Sequence, residues 1–229
     1  MKQIDINTIT FGNPTQAQIK EFLNYEQKED FYDTTADFFE KIKVENYPFP
    51  LNDSLATIQE LNEIVENIEI ISAPYNDEKR NYMQSLNENL EATIIDYFKI
   101  QKDYDFTEIV NDISSEMNSI IYLLKFNYNR PRPFQLANIL KLKLFPFQKN
   151  IDTPSYPSAG VLKAKLMFTA ITRKHSELKE DCQNLLNLIS DAKIYLGTNY
   201  RSDNEFSLEI ADKIIDSNNF SKKYLEDKK

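Results

Sequence analysis

The sequence predicts an all-α protein folded as a single-domain helical bundle. Apolar residues recur at three- and four-residue steps over most of the chain, the mark of helices with one buried face. Alternating strand patterns are almost absent, and no internal repeat is visible. Glycine is scarce, with only Gly12, Gly160 and Gly197 in 229 residues, which suits long helices joined by few tight turns. A chain of this length forms one large domain with a substantial core.

The elements follow in order. Residues 1–50 form an N-terminal extension that packs on the bundle or reaches away from it. It mixes polar and apolar positions around Gly12-Asn13-Pro14 and turns helical at Thr15. A short helix is expected at Thr34 to Glu45, closed by Tyr47-Pro-Phe-Pro50. The bundle itself occupies 51–217. Asn52 or Asp53 caps a helix that carries Leu55, Ile58, Leu61, Ile64, Ile68 and Ile71 on one face, and Pro74 ends it. A second helix is predicted over Asp77 to Lys102, with Tyr82, Leu86, Leu90, Ile94, Tyr97 and Phe98 aligned. A third begins near Thr107, runs through Ile113, Met117, Ile120 and Leu124 into Lys125, and stops at Pro131 and Pro133. Residues 134–156 give a shorter helix and a loop with Pro146 and Pro154. Ser158 caps a helix over about 159–173, another spans Glu177 to Leu196, and a last one spans roughly Asn204 to Ser217. Residues 218–229 read as a mobile charged tail.

Composition excludes several function classes. The chain carries 27 basic and 36 acidic residues, a net charge of -9, whereas nucleic-acid binding needs a basic footprint. No apolar run approaches the ~18 residues that read as a membrane span, and the start Met-Lys-Gln-Ile-Asp is too polar for a secretory signal. The expected location is therefore cytoplasmic or within a virion, neither secreted nor integral to a membrane. Cys182 is alone, so no internal disulfide forms. The acidic residues show no metal-ligand spacing.

Against this acidic background, Lys125-Phe-Asn-Tyr-Asn-Arg-Pro-Arg-Pro133 gathers Lys125, Arg130 and Arg132 on a proline-stiffened segment. Guanidinium forks and an ammonium group suit a phosphate-like oxyanion. Basic residues complementing the dipole of a helix end are the plainer alternative. Two further segments bear on the choice: Ser155-Tyr-Pro-Ser-Ala-Gly160, and Ala192-Lys-Ile-Tyr-Leu-Gly-Thr-Asn-Tyr-Arg-Ser-Asp203. Ser158 there acts as a helix cap, as an oxyanion ligand on a helix N-terminus, or as both.

In order and separation the three segments resemble the signatures of the type 2 phosphatidic acid phosphatase superfamily, which includes class A acid phosphatases and vanadium haloperoxidases. The resemblance covers about residues 105–216. It implies a helical bundle of the acid phosphatase/haloperoxidase type and a phosphate site at Lys125, Arg132, Ser158, Ala159 and Lys193, with phosphate or vanadate as the anion and no cofactor or metal. The departures bear on activity. Where the family places its nucleophilic histidine this chain has Asn199. Where the family places the histidine that protonates the leaving group it has Gly160, and the third-segment arginine is Lys193. Asp203, whose counterpart orients the nucleophile, is retained. A carboxamide forms no phosphoenzyme and glycine donates no proton.

The sequence therefore implies a pseudo-phosphatase with no catalytic residue, degenerate at Gly160 and Asn199, holding a small oxyanion in a structural or interaction role. Its partners are other proteins or copies of itself. The wording Arg130-Pro-Arg-Pro-Phe-Gln-Leu-Ala137 resembles family members of marine bacteria and their large phages, which suggests a virion component. The alternative is an active phosphomonoesterase or pyrophosphate hydrolase with a rewired mechanism, Asp203 serving as base. His175, the single histidine, sits in the turn Thr172-Arg-Lys-His-Ser176 and is expected to play no part.

Overall fold

Ser54 begins the first long helix. Its hydroxyl accepts the Thr57 amide at 3.2 Å, satisfying one of the free donors at a helix start. In this computed structural model, which describes residues 5–19, 47–148 and 151–226, helix α1 then runs Leu55–Ser72. The cap is thus neither Asn52 nor Asp53. Asn52 instead donates its amide to the carbonyls of Ile6 and Ile9 at 3.0 and 2.9 Å and ties the N-terminal stretch to the bundle. The helix expected at Thr34 to Glu45 lies outside the described residues.

The long helix expected over 77–102 is two helices, α2 (Asp77–Glu88) and α3 (Leu90–Lys102). Asn89 breaks it with a non-helical backbone (φ -133°, ψ 51°). Both pieces bury the same side, through Met83 and Leu86 on one and Leu90, Ile94 and Phe98 on the other. The apolar rhythm therefore passes through the break. Helix α4 (Thr107–Tyr128) extends one turn past Lys125 and ends at Asn129, whose φ of 51° is a conformation asparagine tolerates. Pro133 opens the short α5 (Pro133–Ile139) at a position where its missing N–H costs nothing.

Helix α6 (Ala159–Lys174) is the central element and packs against α4, α7 (Lys179–Tyr195) and α8 (Arg201–Ile215). Its Val161, Leu162, Leu166 and Met167 are fully buried in the main core, together with Phe98, Leu124 and Ile210. A second cluster (Leu61, Ile64, Leu136, Ile194) joins α1, α5 and α7. Helix α8 starts three residues before the expected Asn204 because the Asp203 carboxylate turns back to accept the Tyr200 amide at 2.9 Å.

The tail also differs from expectation. After a short helical turn, Asn218–Phe220, a π-type turn spans Ser221–Leu225. Phe220 is fully buried and Tyr224 nearly so, both in the main core. The Lys222-Lys223 charges face outward on a segment whose aromatic residues hold it down.

Gly197 closes the turn after α7 with φ +71°, and the Ile68 side chain sits 2.7 Å from where a Cβ would stand. Gly197→Ala is therefore expected to destabilise the fold by about 1–2 kcal/mol, read as a lower urea midpoint with an unchanged slope.

Candidate functional site

Three distant parts of the chain meet at one cleft of about 220 Å3. Helix α4 brings Lys125 on its last full turn. The extended residue between Pro131 and Pro133 is Arg132, which caps α5. The start of α6 supplies Ala159 and Gly160, the last turn of α7 supplies Lys193, and the turn before α8 supplies Asn199. All six line the cleft.

Lys125, Arg132 and Lys193 are anchored by neutral oxygens. Arg132 donates from Nε to the Thr153 carbonyl at 2.8 Å, and from Nη1 to the Thr198 carbonyl at 2.8 Å and to Asn199 Oδ1 at 3.0 Å. Lys125 Nζ donates to the Pro154 carbonyl at 2.6 Å. Lys193 Nζ donates to Asn87 Oδ1 at 2.5 Å. Carbonyls and amides orient these groups and bring no countercharge.

The electrostatic consequence is large. Burial, then the Arg132 guanidinium, hold Lys125 well below the ordinary lysine range. The same two causes bring Lys193 down to about 7. Burial lowers Arg132 to about 10, which leaves it charged at neutral pH. Bringing these cations together is unfavourable until an anion joins them.

Behind the cleft lies the anchoring layer. Asn199 Nδ2 donates to Asp203 Oδ2 at 3.0 Å and to the Ser155 carbonyl at 2.7 Å. The other Asp203 oxygen accepts Arg130 Nη1 at 2.6 Å. Asp203 is wholly buried and does not line the cleft. Nor does Arg130, which the sequence placed in the cationic cluster. It is fully buried, paired with both Asp203 and Glu60, with its guanidinium 3.9 Å from the Tyr200 ring centroid.

Ser158 occupies the N-cap position of α6, but its side chain makes no cap bond. The hydroxyl is buried with no hydrogen-bond partner among the described residues, and Ser158 is not among the residues lining the cleft. Its backbone does the anchoring, accepting the Ser207 hydroxyl at 3.0 Å and donating to the Asp203 carbonyl at 3.3 Å.

Sequence reasoning missed part of the wall. Thr153, Asn87, Glu91 and Lys163 all line the cleft. Glu91 and Lys163 form an ion pair at 3.1 Å that also holds the Ser114 hydroxyl. Lys163 follows Gly160 by three residues on α6 and so shares its face, which the spacing alone offered as a signal. Asn87 and Glu91 carry no such mark. His175 stays remote. It caps the C-terminus of α6, fifteen residues or roughly 20 Å from Gly160 along the helix axis, edge-on to the stacked rings of Tyr104 and Phe106.

No protein-family profile and no curated protein matches the chain. Among solved structures, it is similar to the first transmembrane PAP2 type phosphatidylglycerolphosphate phosphatase from Bacillus subtilis. The TM-score is 0.51 at 13% identity, covering 79% of this chain and 91% of that one. Among the described residues, no helix is long and apolar enough to cross a membrane. The chain has the all-α fold of the PAP2-type phosphatases.

Proposed function

We propose that the protein holds a phosphate-like oxyanion, phosphate or vanadate, without cleaving it, and that it serves as a binding or scaffold protein rather than a turnover catalyst. The carrying observation is the place of Asn199. It stands at the cleft between Arg132 and Asp203, where the phosphatase reading requires an imidazole. Its amide bridges the cationic wall to the buried carboxylate and offers no nucleophile. The opposite wall at Gly160 offers no proton donor of its own.

A rewired hydrolase with Asp203 as base finds no support in this geometry. One Asp203 oxygen takes Arg130, and the other takes Asn199 and the Tyr200 amide. The carboxylate is satisfied and shielded from the cleft.

Two measurements test the proposal. Calorimetry is expected to show saturable phosphate binding, weakened roughly 10- to 100-fold by Lys125→Met as one charged hydrogen-bond donor is lost. Hydrolysis of p-nitrophenyl phosphate between pH 4 and 8 is expected to stay at background for the wild type and for Arg132→Ala alike. Turnover that the wild type shows and Arg132→Ala loses would end the non-catalytic reading.

A further inference from the structure

Gly160 and Lys193 fit each other. A Cβ on Gly160 would stand 2.9 Å from Lys193 Cε and 3.0 Å from its Nζ. The lysine chain therefore lies directly over the glycine, and its amine fills the volume that any side chain at 160 would enter. Lys193 is almost fully buried, yet Nζ borders the cleft and has one anchoring acceptor, Asn87 Oδ1. Asn87 is held in turn by donating to Gln148 Oε1 at 2.7 Å. Lys125 differs, because its amine is directed at the carbonyls of Pro154 and Ser155.

We propose that Lys193 is the proton-carrying ligand of this cleft: an oxyanion seated between Lys125 and Arg132 enters together with a proton, which comes to rest on the Lys193 amine. The inference deepens the oxyanion-pocket reading and rests on it. The balance is simple. A neutral amine takes one proton from the buffer and becomes an ammonium donor to a phosphoryl oxygen, and no covalent bond is made or broken.

The charged groups facing the amine decide its state. Arg132 and Lys163 repel a proton there, and Lys125 is itself held well below the ordinary lysine range. Glu91 attracts one, but its carboxylate is already committed to Lys163 and Ser114. Glu88 is exposed at the rim, and Asp152 acts on Lys125 and Arg132. Without an anion the balance brings the amine down to about 7, so it is mostly neutral above that pH. A dianion placed among these cations reverses that sign and returns the amine to its ordinary charged state.

The test uses inorganic phosphate and the full chain at about pH 8.5, where Lys193 is mostly neutral and phosphate is already the dianion. Calorimetry in buffers of different ionisation heat then counts protons. The wild type is expected to take up about one proton more per phosphate than Lys193→Arg, which keeps its charge, since any proton gained by Lys125 is common to both. The pH dependence of affinity gives a second readout, falling up to about tenfold more per pH unit between pH 7 and 9 in the wild type than in Lys193→Arg. Binding without proton uptake, or equal uptake in the arginine variant, overturns the inference and leaves the pocket standing. Absence of phosphate binding defeats the pocket itself and this inference with it.

Discussion

Arg130→Met is expected to destabilise the protein by about 3–5 kcal/mol, the cost of stranding a buried charge after its partner is removed. For a chain of this size that lowers the thermal midpoint by on the order of 10 °C. Arg130 and Asp203 are both fully buried and meet at 2.6 Å. The guanidinium also reaches Ser202 at 2.7 Å and Glu60 at 3.1 Å, so one side chain joins α1, α8 and the segment before α5. Methionine fills much of the volume but leaves the Asp203 carboxylate with only neutral donors. Adding Asp203→Leu removes that charge and recovers part of the loss. Recovery is incomplete, because the Tyr200 amide and the Asn199 carboxamide then lose their acceptor. Thermal melts and urea titrations read both variants. A loss below about 1 kcal/mol for Arg130→Met would mean that Asp203 is not held by this pair.

Arg130 also shows what the sequence could not tell. Beside Lys125 and Arg132 it reads as a third phosphate ligand, since arginine is the same group in an anion cradle and in a buried ion pair. Only two residues separate the two fates, and the backbone between them is not a regular strand, in which positions two apart would share a face. Arg132 faces the cleft and Arg130 faces Asp203. The spacing of Lys125 and Arg132 was legible because local backbone sets it, and Asn199 was legible from its place in the third segment. The approach of Lys193 to Gly160 was not, because it depends on how α6 and α7 sit against each other across 33 residues of chain. The fold divides in the same way. Helix α1 was legible from Leu61, Ile64 and Ile71, while its cap is Ser54 rather than Asn52 or Asp53. The break at Asn89 was hidden because α2 and α3 bury one continuous apolar face. The docking of the tail was hidden because Lys222 and Lys223 stand between Phe220 and Tyr224, and a charge run outweighs two aromatic residues in any reading by composition.

Asn199→His is expected to raise hydrolysis of p-nitrophenyl phosphate at least about 100-fold over wild type. Asn199 Nδ2 already donates to Asp203 Oδ2. An imidazole in the same rotamer places its Nδ1–H on that carboxylate and sends Nε2 into the cleft, oriented and free of a proton. Arg132 Nη1 loses its bond to Asn199 Oδ1 and becomes available to a phosphoryl oxygen. p-Nitrophenolate leaves without needing a proton, so the missing donor at Gly160 does not limit this substrate. Esters with poor leaving groups behave differently. Adding Gly160→His drives an imidazole into the volume held by Lys193 and gives little further gain. The informative result is the pair of rates together with a phosphohistidine trapped by acid-free quenching. If Asn199→His binds phosphate and folds normally yet shows neither turnover nor phosphohistidine, the cleft does not present phosphorus to position 199. In that case the anion lies deeper, toward Lys193 and Gly160, and its orientation is what separates this protein from a phosphatase.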